Sequence, residues 1–166
     1  MYSQPPDKSN LLNKITDAFR SVPYPGDGNI IVNRQDLESL DIARAFRGME
    51  WQKVPFETVF QHRDSLPFFS PAAFRYFLPA YMCHSILHYN DSDTLPEYIV
   101  YQLTPPRSNA PSEEWRWFNS NVGELDAKQR KAIVMYLQYM CIHHSADFPH
   151  GDPKDALEMY WAPEET

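Results

Sequence analysis

Fifteen prolines in 166 residues would dismember a helical protein if they fell at random. A proline inside a helix removes one hydrogen bond and presses its ring against the preceding turn. Here several stand where a helix would begin. Ser70-Pro71, Thr94-Leu95-Pro96 and Asp152-Pro153 each set a capping side-chain oxygen just ahead of a proline in the first turn, where the missing N–H costs nothing. The prolines therefore punctuate a series of helices. Pro79 is the exception. The spacing predicts a helix over 71–89 that is apolar almost all round and so belongs in the middle of the fold. Pro79 falls inside it and deprives the Arg75 carbonyl of its partner, which predicts a kink or a break.

Other helices follow from period and punctuation. Asp126 begins one, with Gln129 three residues on completing a variant capping box, and Ile133, Leu137, Met140, Cys141 and His144 form its stripe. Leu11, Leu12, Ile15, Phe19 and Val22 predict a helix over about 9–22. Leu37, Leu40, Ala43 and Phe46 predict another, closed by Gly48. Further helices are expected over 96–103, 112–119 and 153–161, the last with Leu157, Tyr160 and Trp161 facing inward. Ile30-Ile31-Val32 reads as a short extended segment, too isolated for a sheet.

The expected fold is all-α: one compact domain of about seven or eight helices around a proline-kinked central helix. It would span 9–162, between a flexible N-terminus at 1–8 and an acidic C-terminal tail at 163–166. The 43% hydrophobic and 22% charged content permits a real core and excludes the composition that stays disordered. No signal peptide shows in MYSQPPDKSN, and the two cysteines, Cys83 and Cys141, read as reduced and buried, so the cytoplasm is the expected compartment. The most apolar stretch, 66–90, is cut by Pro67, Pro71 and Pro79 and is too broken for a membrane span. A net charge of -7 has the wrong sign for gripping a nucleic-acid backbone.

Three motifs carry a resemblance. P-Y-P-G-D at 23–27, A-F-R-G at 45–48 and S-P-A-A-F-R-Y-F-L-P-A-Y at 70–81 are followed in order by L-T-P-P at 103–106, a W-x-W-F-like patch and A-L-E-x-Y-W at 156–161. This series resembles a bacterial family of unknown function of about this length. The resemblance implies a single domain and brings no reaction, cofactor or catalytic residue with it.

The residues themselves offer few chemical constellations. His84 and His88 share a helix face, but two ligands do not make a site and the H-E-x-x-H glutamate is missing; no metal or cofactor is expected. His62-Arg63-Asp64 spells a kinase tripeptide without the glycine-rich loop, lysine or D-F-G that would give it meaning. Cys83 beside His84 points in another direction, and the glycines at 26 and 28 lack the strand, helix and lysine of a phosphate loop.

Three features remain as candidate binding elements. Arg75 is the one formal charge in 66–90, so it needs a partner: either an ion pair or carbonyl clamp, or an anion to anchor in a pocket beside Tyr76 and Tyr81. Trp115 and Trp117 flank Arg116 in a patch that reads as core and rim or as an interface hot spot. Residues 147–166 hold six acidic side chains, Asp152, Asp155 and Glu158 among them, against Lys154 alone, which suits a solvated face or a surface for a basic partner.

The leading expectation is a cytoplasmic protein-binding domain with an acidic, aromatic surface, in its sharper form an immunity-type protein that neutralises a cognate toxin. The alternative is a small-molecule-binding protein or enzyme with a pocket near Arg75 and Pro79, and a scaffolding domain is a third. Enzymatic activity is the less favoured class, and neither nucleic acid nor membrane is an expected partner. Oligomeric state is left open.

Overall fold

The computed structural model describes residues 6–149 and 153–162. Among them eight helices are found and no strand: α1 (Lys8–Phe19), α2 (Leu37–Phe46), α3 (Phe56–Gln61), α4 (Pro71–Leu87), α5 (Leu95–Leu103), α6 (Ser112–Gly123), α7 (Ala127–His144) and α8 (Pro153–Ala156). Single 3-10 turns link several of them, and α8 runs on into a wide π turn over Leu157–Trp161. The all-α single domain expected from the sequence is the observed architecture. No helix among the described residues is long and apolar enough to cross a membrane. The 163–166 tail lies outside the described residues.

Side-chain caps set the starts of α1, α2, α4 and α7. Asp7 accepts from Asn10 N at 2.7 Å, Asp36 from Ser39 N at 3.1 Å, and Ser70 Oγ from Ala73 N at 3.1 Å. Asp126 and Gln129 form the full capping box, each side chain accepting the other's backbone N–H at 2.9 and 3.0 Å. Each such cap stabilises its helix by about 1 kcal/mol. α1 thus begins at Lys8 under Asp7, and it stops at Phe19, short of the expected 22.

α4 is the central element. Ala73, Phe74, Phe77, Leu78, Tyr81 and Met82 are fully buried along its seventeen residues, and α1, α3, α5 and α6 all pack on it. The helix continues through Pro79 without a break. Neighbours on every side hold the turn together, and one missing hydrogen bond does not outweigh that burial. Phe46 closes the α2 side of this core. Its ring meets Phe77 at 4.9 Å and Phe69 at 5.2 Å between centroids, edge to face, and stacks on Tyr81 at 6.2 Å. Such aromatic pairs contribute about 0.5–1.5 kcal/mol beyond their buried area.

Four expectations are corrected. The inward face of α2 is Ser39, Ile42 and Phe46, while Leu37 is 78% exposed, because the Asp36 carboxylate accepts from the Ser39 hydroxyl at 2.8 Å and lets a serine be buried. Thr94 does not cap α5; its backbone is outside the extended region a cap requires, and its hydroxyl accepts from Arg63 Nε at 3.2 Å. Cys83 and Cys141 are only half-buried. The last helix keeps α geometry only to Ala156.

The Ile30-Ile31-Val32 segment forms one antiparallel bridge between Ile31 and Phe69. Val32 N donates to Phe68 O at 3.3 Å, Ser70 N to Ile30 O at 2.9 Å, and Ser70 Oγ to Asn29 O at 2.6 Å. The bridge fixes the start of α4 against the loop that follows α1.

Candidate functional site

Arg75, Tyr76 and Tyr81 share α4 but go to three different places. Arg75 is half-buried beside the start of α7, where Nε donates to Gln129 Oε1 at 3.0 Å and Nη2 lies 3.9 Å from Asp126 Oδ2. Gln129 also donates through Nε2 to Ala18 O at 3.2 Å, so one amide joins α1, α4 and the α7 cap. Tyr76 Oη accepts from Trp51 N at 3.3 Å, and the Tyr76 ring meets Tyr24 edge-on at 5.5 Å. Tyr81, fully buried, donates to His62 O at 2.7 Å, and burial pushes its phenol well above its ordinary value. The structure does not bring these three side chains to one pocket.

The tryptophans of α6 fasten loops. Trp115 Nε1 donates to Arg107 O at 3.0 Å and Trp117 Nε1 to Pro67 O at 3.2 Å. Trp117 also sets its ring edge-on to Phe74 at 5.9 Å. Both remain half-buried, apolar body inward and indole N–H spent on a carbonyl.

At the C-terminal end the chain displays charge. α8 is held from within: Trp161 Nε1 donates to Leu103 O at 2.6 Å, and Arg130 Nη1 to Tyr160 Oη at 3.0 Å. The Arg130 guanidinium lies 5.7 Å from the centroids of both the Tyr160 and Trp161 rings. Ala162 N closes the π turn on Leu157 O at 2.8 Å, and this wider turn lets the consecutive Tyr160 and Trp161 both contribute to the anchorage. Leu157 and Tyr160 are half-buried, and Trp161 is buried. Asp155 and Glu158 remain exposed, with Met159 beside them 55% exposed. Lys154 Nζ lies 3.6 Å from Glu158 Oε1, an exposed pair of little energetic weight. Asp152 lies outside the described residues. Asp147, in the turn after α7, accepts from Tyr89 Oη at 2.9 Å.

A second polar cluster was not legible as a site in the sequence. Tyr24 of P-Y-P-G-D donates to Asp27 Oδ1 at 2.5 Å and accepts from Gly48 N of A-F-R-G at 2.8 Å, while Arg47 Nε donates to Asp27 Oδ2 at 3.2 Å. The Tyr24 hydroxyl, then Arg47, hold the Asp27 carboxyl below its ordinary value; burial and the same contact raise Tyr24. Gly26 at φ 93° and Gly48 at φ 70° supply the left-handed turns that bring the segments together. The available signal was the pair of motifs themselves, each built around a glycine.

His84 and His88 stack at 5.7 Å between ring centroids, and His84 Nε2 lies 2.7 Å from Val54 O. Among the described residues no group of three or more His, Cys, Asp or Glu side chains is placed to hold a metal ion. Burial pushes the Cys83 thiol up to about 12, the opposite of an activated nucleophile.

No curated protein and no solved structure matches the chain. The profile of one protein family does match, over residues 7–165, nearly the whole length and including every segment described above. The chain belongs to DUF6714, a family of unknown function.

Proposed function

We propose that this chain is a protein-binding domain that docks a basic protein partner on the outward side of α8 and the π turn that continues it. The observation that carries the reading is the exposure of Asp155 and Glu158 beside Met159, on a helix whose other side is fastened by Trp161 and Arg130. An apolar contact flanked by two carboxylates, on an anchored support, suits a partner with lysines or arginines around a small apolar recess. The acidic excess of residues 147–166 adds a field that attracts such a partner and weakens with salt. In the immunity-type version the basic partner is a toxin, and docking covers its active surface.

The test is zero-length coupling of carboxylates to amines in extract of the chain's own host, comparing wild type with the Asp155→Lys, Glu158→Lys double variant. The expected result is a stoichiometric adduct whose cross-links map to Asp155 or Glu158 and which the double variant loses. An adduct that persists in that variant, or one whose cross-links map elsewhere, overturns the acidic-face reading. For the immunity-type version, co-expression of the captured partner should be toxic alone and tolerated with the wild-type chain.

A further inference from the structure

The His84 ring is committed to one tautomer. Nε2 lies 2.7 Å from the Val54 carbonyl, which can only accept, so Nε2 carries the proton and Nδ1 bears a lone pair. Nδ1 is buried with no hydrogen-bonding partner. One turn on, His88 stacks on His84 at 5.7 Å and on Phe56 at 4.4 Å, and Phe56 also meets His84 at 5.9 Å. The turn Trp51–Lys53 and helix α3 are thus seated on α4 through a ring sandwich and one carbonyl, together with the bond from Trp51 N to Tyr76 Oη.

We propose that His84 and His88, with Phe56 and the Val54 carbonyl, form an acid-sensitive latch that holds residues 51–61 on α4 and releases them when the His84 imidazole is protonated. A proton on Nδ1 has no acceptor in the buried position. That cost is relieved when the His84 ring turns toward water, which surrenders Val54. The charged groups facing His84 are His88 on its own helix and Glu57 on α3. Burial, the largest influence, and His88 oppose the protonated form, whereas the bond to Val54 and the charge of Glu57 favour it, so release requires the cost at the buried Nδ1 to exceed the gain at Val54. Lys53 and Glu50, at the turn before Val54, are exposed and pair with each other at 2.9 Å. The latch lies on a different segment from α8 and does not depend on the partner proposed there.

The test is hydrogen exchange followed by mass spectrometry at about pH 7.5 and about pH 5, across which a histidine changes charge, with times corrected for intrinsic rate. Wild type should lose protection at the lower pH severalfold more in peptides covering 51–61 than in α7. His84→Gln retains an N–H for Val54 but cannot titrate, so it should keep protection at both pH values. Equal loss in His84→Gln, no loss in wild type, or loss in all peptides together overturns the latch. Should His84→Gln fail to fold, NMR of the wild-type chain decides. The ring titration of His84 must coincide with shifts of the Val54 and Phe56 amides, and titration that leaves those amides unmoved overturns the proposal.

Discussion

Arg75 Nε donates to Gln129 Oε1 at 3.0 Å across 54 residues of sequence. The same oxygen accepts the Asp126 N–H of the capping box, and the Gln129 amide nitrogen reaches the last turn of α1. The lone charge of the central helix is therefore a clamp on the start of α7.

Gln129→Ala should cost about 1.5–3 kcal/mol, the range for hydrogen bonds to charged groups, because it leaves a half-buried guanidinium and an α1 carbonyl without their partner. Urea unfolding with an unchanged slope and a lower midpoint is the expected readout. Arg75→Ala should cost less than Gln129→Ala, since the Gln129 bonds to Asp126 and Ala18 survive it and the 3.9 Å pairing with Asp126 adds little.

Gly48→Ala isolates backbone strain. A Cβ there would meet nothing within 4 Å, yet φ is 70°. The substitution should destabilise the fold by about 1–2 kcal/mol through the left-handed conformation alone. A thermal midpoint unchanged from wild type would contradict the turn geometry.

Stability should fall in acid in a defined window. Burial lowers His62, His84 and His144 below the ordinary histidine value of 6.5, so the unfolded chain takes up protons first. The associated stability is fully present above about pH 6.5 and declines as pH drops below it. Asp27 and Asp36, lowered from 3.8 chiefly by the hydrogen bonds of Tyr24 and Ser39, add a second decline below that value. Denaturant midpoints measured at stepped pH should show both.

Trp161→Phe should release α8 without disturbing α4. It removes the 2.6 Å bond to Leu103 O and leaves that carbonyl unpaired, a cost of about 1–3 kcal/mol. Limited proteolysis should then cut near residues 153–162 first, while peptides from 71–87 stay protected.

What was legible in the sequence was local. The capping box of Asp126 and Gln129 could be read from two residues three apart, and the Ser70 cap from one serine before one proline. The inward face of α2 could not, because a buried serine is allowed only by a carboxylate already in place to accept its hydroxyl. The π turn over Leu157–Trp161 likewise depends on Arg130 and Leu103, far away in sequence, to make use of two adjacent aromatic rings. The Tyr24, Asp27, Arg47 and Gly48 cluster spans 24 residues, beyond any helical period, so its motifs could be seen but not their meeting. For the α8 face the sequence supplied the charges, and only the fold supplied their exposure beside Met159.

The reach of Gln129 to Ala18 joins residues 111 apart. Non-local pairings of this kind are slow to form, because the intervening chain must be ordered before they reward it. During synthesis α1 leaves the ribosome before its main neighbours, α4 and α7. α1 is therefore complete well before its cover is. Until residue 129 has emerged, Leu11, Ile15 and Phe19 are an apolar stripe waiting for its cover, and the interval in which a chaperone or an aggregate can claim this chain is set by how soon α7 arrives.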